Sequence, residues 1–255
     1  MSNAKVNKQE RRDAAREQAR KLREAQQRRE KRNRLLIIAG VVVFIAIVAA
    51  ALFSIISSAN RAPLEGVDER PAGATENGAI QVGADGVGSE NEGAPVVDLY
   101  LDYLCTYCAQ FEALNAGVLE ELAANGEATV NYHPITYITA SDFNMRASNA
   151  AAVVATESPE HFTEFNEQLF AAQGEGGATP LSDDQVADIA REIGIPDDVI
   201  ESFGDGQYTE WVEGITEQAR RDDIGGTPTV LIDGEEFTGW QQEGALAQAV
   251  ADAAA

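Results

Sequence analysis

Residues 95–108 read PVVDLYLDYLCTYC, a proline-opened apolar run that ends in the only two cysteines of the chain. Val96–Leu101 has the pattern of a core strand. Beyond the cysteines, Ala109–Ala124 has helical periodicity, with Phe111, Leu114, Val118, Leu119 and Leu122 on one face and a stop at Asn125-Gly126. Cys105 and Cys108 therefore stand at a strand-to-helix junction. A thiol there faces unpaired backbone N–H groups and the positive end of the helix dipole, and both favour thiolate over thiol. The second thiol is close enough to close an intramolecular disulfide and to release whatever the first has attacked. A purely structural disulfide is the plain alternative, but this junction suits exchange better than stapling.

Working outward, Ala79–Val82 reads as a short strand and the Gly-rich acidic stretch to Gly93 as a loop. Thr129–His133 is the next strand, ended by Pro134, so the motif sits at the helix N-terminus of a β-α-β unit with parallel strands. A helical stretch follows, about residues 141–221. Ser141 or Asp142 caps a first helix to about Thr156, and Ser158-Pro159 opens a second to Gln173. After a GEGG break, Ser182-Asp183-Asp184-Gln185 is a capping box for a helix ending at Gly194, and a last one runs from Gln207 to Arg221. Strands Thr229–Ile232 and Glu235–Phe237 are joined by Asp233-Gly234, a hairpin signal, and Glu243–Ala253 is the final helix.

The strand at Thr229 is entered through Gly225-Gly226-Thr227-Pro228. Together, YLCTYC at 103–108 and GGTPTVLI at 225–232 make residues 79–255 resemble the DsbA-like group of thioredoxin-fold proteins. The resemblance implies an α/β domain in which a β-α-β half and a β-β-α half flank a helical insertion. It also implies a cis Thr227–Pro228 loop packed on the Cys105–Cys108 disulfide, with Thr227 pairing to an extended substrate as an added strand. On this pattern Cys105 is the nucleophile, Cys108 resolves, and Thr106-Tyr107 is the active-site dipeptide. The group commonly carries proline first in that dipeptide, often followed by histidine or tyrosine. Without a histidine the Cys105 thiolate lacks one cationic stabiliser. Relatives place a buried carboxylate six residues before the first cysteine; here that residue is Leu99, leaving Asp98 or Asp102 as substitutes. Tyr107 and Pro228 are candidates for an apolar rim, and Tyr103 and Phe111 are expected to pack in the core.

Charge divides the chain. Residues 1–34 hold 13 Lys/Arg and 5 Asp/Glu, a net of +8, and the other 221 hold 6 and 37, a net of −31, giving −23 overall. Between them Leu35–Ser57 is almost wholly apolar, and its 23 residues at ~1.5 Å each reach roughly 34 Å, enough for a bilayer core of ~30 Å. The span is longer than the apolar region of a cleavable signal peptide. It reads as a signal anchor touching lipid, with the basic arm 1–34 in the cytoplasm and the rest extracytoplasmic. Residues 58–78, polar and aperiodic, read as a flexible tether. An oxidising compartment lets a disulfide persist.

The reading is a membrane-tethered thiol–disulfide oxidoreductase that introduces disulfides into exported, unfolded or partly folded thiol proteins and is reoxidised by a membrane redox partner. A reductase and a redox-silent binding module are the rivals. No cofactor is implied. The acidic domain argues against nucleic acid. Zinc is set aside because His133 and His161, the only histidines, lie far outside ligand spacing.

Overall fold

The computed structural model describes residues 3–59, 62–174 and 179–255. The chain divides into two units, Met1–Arg61 and Ala62–Ala255. The first is a single helix, α1 (Asn3–Ala59). Basic arm and apolar segment are continuous within it, and its stretch Gln26–Phe53 is long and apolar enough to cross a membrane, with a mean hydropathy of 3.2 in its most apolar window. In the arm, Lys21 pairs with Glu17 at 2.9 Å and Arg20 with Glu24 at 3.3 Å, the i,i+4 spacing that supports a solvated helix.

The second unit is built on a six-stranded sheet. Its strands are β1 (Ile80–Gly83), β2 (Gly86–Val87), β3 (Val96–Leu101), β4 (Thr129–Pro134), β5 (Thr229–Ile232) and β6 (Glu235–Glu236), in the order β2-β1-β4-β3-β5-β6. Only β3 and β4 are parallel, joined by α2 (Thr106–Ala124), while β5, β6 and α8 (Ala245–Ala253) form the β-β-α half. Val97, Leu99 and Leu101 of β3 bury their side chains on one sheet face, and Asp98 and Tyr100 point to the other. Burying an aliphatic or aromatic side chain of this size contributes about 1.5–3 kcal/mol. The two halves meet where Phe111 of α2 abuts the edge of Trp240, ring centroids 5.7 Å apart.

Between the halves lies the helical insertion: α3 (Phe143–Glu157), α4 (Phe162–Ala171), α5 (Asp183–Glu192), α6 (Asp197–Glu201) and α7 (Thr209–Arg221). Ser182 and Gln185 form the expected capping box, each side chain bonded to the other's backbone N–H. The GEGG break falls mainly on residues outside those described. The helix expected from Ser158 begins as a 3-10 turn, Pro159–His161, before α4 takes over. α6 has no counterpart among the expected elements; five residues are too few for a periodic signal.

Three expectations need correction. Of the expected tether 58–78, residues 58 and 59 belong to α1, 60 and 61 lie outside the described residues, and 62–78 are not free. Leu64 is buried in the core beside Gly214, Ala72 N–H donates to the Thr156 hydroxyl at 2.9 Å, and Ala74 bridges to Ile80. These contacts recur at no fixed interval, so the stretch shows no period. The supposed loop before Gly93 contains β2, paired with β1 through the Ala84-Asp85 turn, after which Gly86 takes φ +92°. Leu114 is exposed, not on the buried face of α2. Asn115 takes the core position instead, because its amide donates to the carbonyls of Phe111 (3.0 Å) and Trp240 (3.1 Å).

Candidate active site

The helix expected from Ala109 starts three residues sooner, at Thr106, and this makes Cys105 its N-cap, in an extended conformation (φ −92°, ψ 115°). Both cysteines are free thiols. Cys105 keeps 6% of its surface and Cys108 none, so a reactant reaches the first sulfur and not the second. The neutral Cys105 side chain makes no capping hydrogen bond. Its anion, however, receives a hydrogen bond from the Cys108 thiol, another from Thr227, and two from the N–H groups of Cys108 and Tyr107. Together these outweigh burial and bring its pKa down to about 6. Cys108 shifts the other way, well above the usual thiol value, because it is buried and donates to an adjacent anion. One thiol is therefore ionised at neutral pH and the other holds its proton.

The Thr227–Pro228 peptide is cis, and the Thr227 carbonyl accepts from the Cys105 sulfur at 3.2 Å. Thr227 thus faces the sulfur in both ionisation states, its carbonyl serving the thiol and its hydroxyl the thiolate. Two strands and a helix start bring this about. β3 carries the chain to the motif, and β5, antiparallel beside it with Tyr100 opposite Thr229, carries Pro228 to the same end of the sheet. Thr106 is half-buried in the first turn of α2, and Tyr107 is 59% exposed, the one aromatic of the motif open to a partner. Tyr103 and Phe111 are core residues, as expected. The Tyr103 hydroxyl donates to Asn166 Oδ1 at 2.7 Å and its ring stacks on Phe170.

Leu99 is fully buried in the apolar core. The two aspartates weighed as substitutes have separate environments. Asp98 lies on the opposite sheet face, bonded to His133 Nε2 and Asn131 Nδ2, each at 3.0 Å. Burial raises its pKa, but the His133 hydrogen bond and charge and the Asn131 amide prevail and leave it below the ordinary value. Asp102 has no exposed surface. Its carboxylate accepts N–H bonds from Leu104 (2.8 Å), Tyr137 (2.7 Å) and Ile138 (2.9 Å), and Asn144 Nδ2 reaches both oxygens. Burial still raises its pKa against these donors. The Asp102 carbonyl takes the Cys105 N–H at 2.8 Å, and its backbone also bonds the Cys108 sulfur.

A further acid escaped the sequence reading. Glu112, one helical turn beyond Cys108, is buried and accepts from Asn166 Nδ2 at 3.1 Å; burial raises its pKa to about 7. A helical wheel holds the signal, since Cys108, Glu112, Asn115 and Leu119 share one stripe. His161, bonded to Ser158 at 2.9 Å, and His133, stacked under Tyr100, have partners elsewhere.

The thioredoxin family model matches residues 87–252. A comparison with curated proteins finds no match. Among solved structures, the fold is similar to the MdbA thiol–disulfide oxidoreductase of Actinomyces oris, with 25% identity, a TM-score of 0.61, and coverage of 75% of this chain and 96% of that one. It is similar to the disulfide bond oxidoreductase DsbG of Mycobacterium tuberculosis in its reduced form, at 28% identity and TM-score 0.59, over 70% and 88% of the two chains. Reduced DsbA of the same organism matches at 28% and 0.57, over 68% and 91%. The chain belongs to the thioredoxin family, within its DsbA-like group of thiol–disulfide oxidoreductases.

Proposed function

We propose that the protein donates disulfides to exported proteins from outside the cytoplasm, tethered by residues 35–57 with the basic arm inside. The observation that carries this is the opposed ionisation of the two thiols, Cys105 near 6 and Cys108 well above the ordinary value. A stabilised Cys105 thiolate favours the reduced state, so the disulfide is a ready electron acceptor.

In the forward reaction a substrate thiolate attacks the Cys105 sulfur. The Cys105–Cys108 bond breaks, and Cys108 leaves and takes up a proton, as its environment demands. A second substrate thiolate then attacks the substrate sulfur of the mixed disulfide. The substrate disulfide forms and Cys105 departs as thiolate, a good leaving group at its pKa of about 6. Two electrons have passed to the protein, and a membrane redox partner removes them. Thr227 holds the incoming chain as an added strand beside Pro228, and the exposed Tyr107 supplies an apolar contact.

The test is the reduction potential of the full chain in detergent, equilibrated against glutathione. A value nearer ~−120 mV than ~−270 mV supports donation. A value near the lower figure makes the protein a reductase, and no equilibration at all leaves a binding module.

A further inference from the structure

The Asp102 hydrogen bonds do not end at the motif. Tyr137, whose N–H is held by the Asp102 carboxylate, sends its hydroxyl to the Ile224 carbonyl at 2.9 Å. Ile224 lies three residues before Thr227, and Thr227 touches the Cys105 sulfur. The Cys105 N–H in turn returns to the Asp102 carbonyl. Cys105, Asp102, Tyr137, Ile224 and Thr227 therefore close a ring through two separate loops.

The weak link of that ring is Gly225-Gly226. A side chain at either would meet nothing within 4 Å, so packing does not hold them, and glycine leaves the backbone free. Upstream, Ile224 N–H caps α7 through the Ala219 carbonyl at 3.0 Å; downstream, the Thr229 hydroxyl holds the Gly226 carbonyl at 2.8 Å. Besides Thr229, among the described residues one side chain hydrogen-bonds residues 224–226, and it is Tyr137. The Arg220 guanidinium covers the Tyr137 ring at 5.2 Å, with the Glu217 and Asp222 carboxylates and the Tyr100 phenol close by.

We propose that Tyr137 is a positioning residue for the redox centre, its hydroxyl fixing Ile224 so that Thr227 stays at the Cys105 sulfur. This rests on Cys105 being the attacking sulfur. Tyr137 touches neither thiol and acts through Thr227. Without its hydroxyl the two glycines let Thr227 drift, the thiolate loses the Thr227 hydrogen bond, and Cys105 becomes a weaker acid.

The experiment follows iodoacetamide alkylation of Cys105 against pH, by mass spectrometry, in the full chain held in detergent. Exchange of the unaltered chain with glutathione, measured first, decides separately whether the redox reading stands. Tyr137→Phe is expected to raise the alkylation midpoint by about half a pH unit. In a Thr227→Val background the same change is expected not to raise the midpoint, because the hydroxyl it positions is gone and the Thr227 carbonyl that remains favours the thiol. An unmoved midpoint in Tyr137→Phe, or a shift undiminished beside Thr227→Val, overturns the proposal. Should Tyr137→Phe melt below the assay temperature, Tyr137→Met, which keeps the packing and drops the hydroxyl, is read by the same two criteria.

Discussion

Cys105 and Cys108 show how placement decides the acidity of chemically identical groups. The first collects hydrogen-bond donors at a helix start, and the second is sealed beneath it. Cys105→Ser is expected to abolish exchange, and Cys108→Ala to accumulate mixed disulfides with substrate, seen as a thiol-sensitive mass increase; turnover in both variants would refute the assignment. Glu112 makes a second prediction. Its folded pKa of about 7 lies above the ordinary carboxyl value of 4.5. The folded state therefore binds its proton more tightly, and its stabilisation is complete below about pH 4.5 and lost as pH rises through 7. Glu112→Gln is expected to flatten the fall in stability across that window and to stabilise the protein at pH 8 by roughly 1–3 kcal/mol. Urea unfolding at pH 5 and pH 8 checks this, and an unchanged slope with pH would count against it.

Elements that form from local signals were legible in the sequence. The run into Cys105, the α5 capping box and the Asp233-Gly234 hairpin each draw on a few adjacent residues. Ser182→Ala is expected to cost about 1 kcal/mol in chemical denaturation and leave thiol exchange unchanged. Elements held by distant partners were not legible. Beyond the neighbouring Leu104 N–H, the Asp102 carboxylate takes its partners from Tyr137, Ile138 and Asn144, 35 to 42 residues on, and periodicity carries no trace of such bonds. The same holds for Leu64, which packs beside Gly214 of α7, 150 residues on. Leu64→Ala is expected to destabilise the domain by about 2–5 kcal/mol, where a free tether would give no change in the melting transition. Leu114 was misplaced for a related reason: Asn115 outranks it for the core through two hydrogen bonds that composition alone ranks as unfavourable.

At the scale of the molecule, the sequence after residue 34 holds 37 acidic and 6 basic residues, an excess that gives the domain a negative potential. That potential opposes the Cys105 thiolate, and the local donors overcome it. Screening relieves only the long-range part. Raising ionic strength from ~10 mM to ~0.5 M is therefore expected to lower the Cys105 alkylation midpoint by a few tenths of a pH unit; a rise would show that the acid surface does not govern the sulfur.

The 6% of surface left to Cys105 has a consequence for timing. A sulfur so recessed is met by a thiol on an extended chain and missed by one set in a rigid surface. On the proposed reading, a client's own folding ends its eligibility. The enzyme needs no signal to stop, because each product withdraws its remaining thiols as it matures, and the order of oxidation follows the order in which segments emerge and collapse.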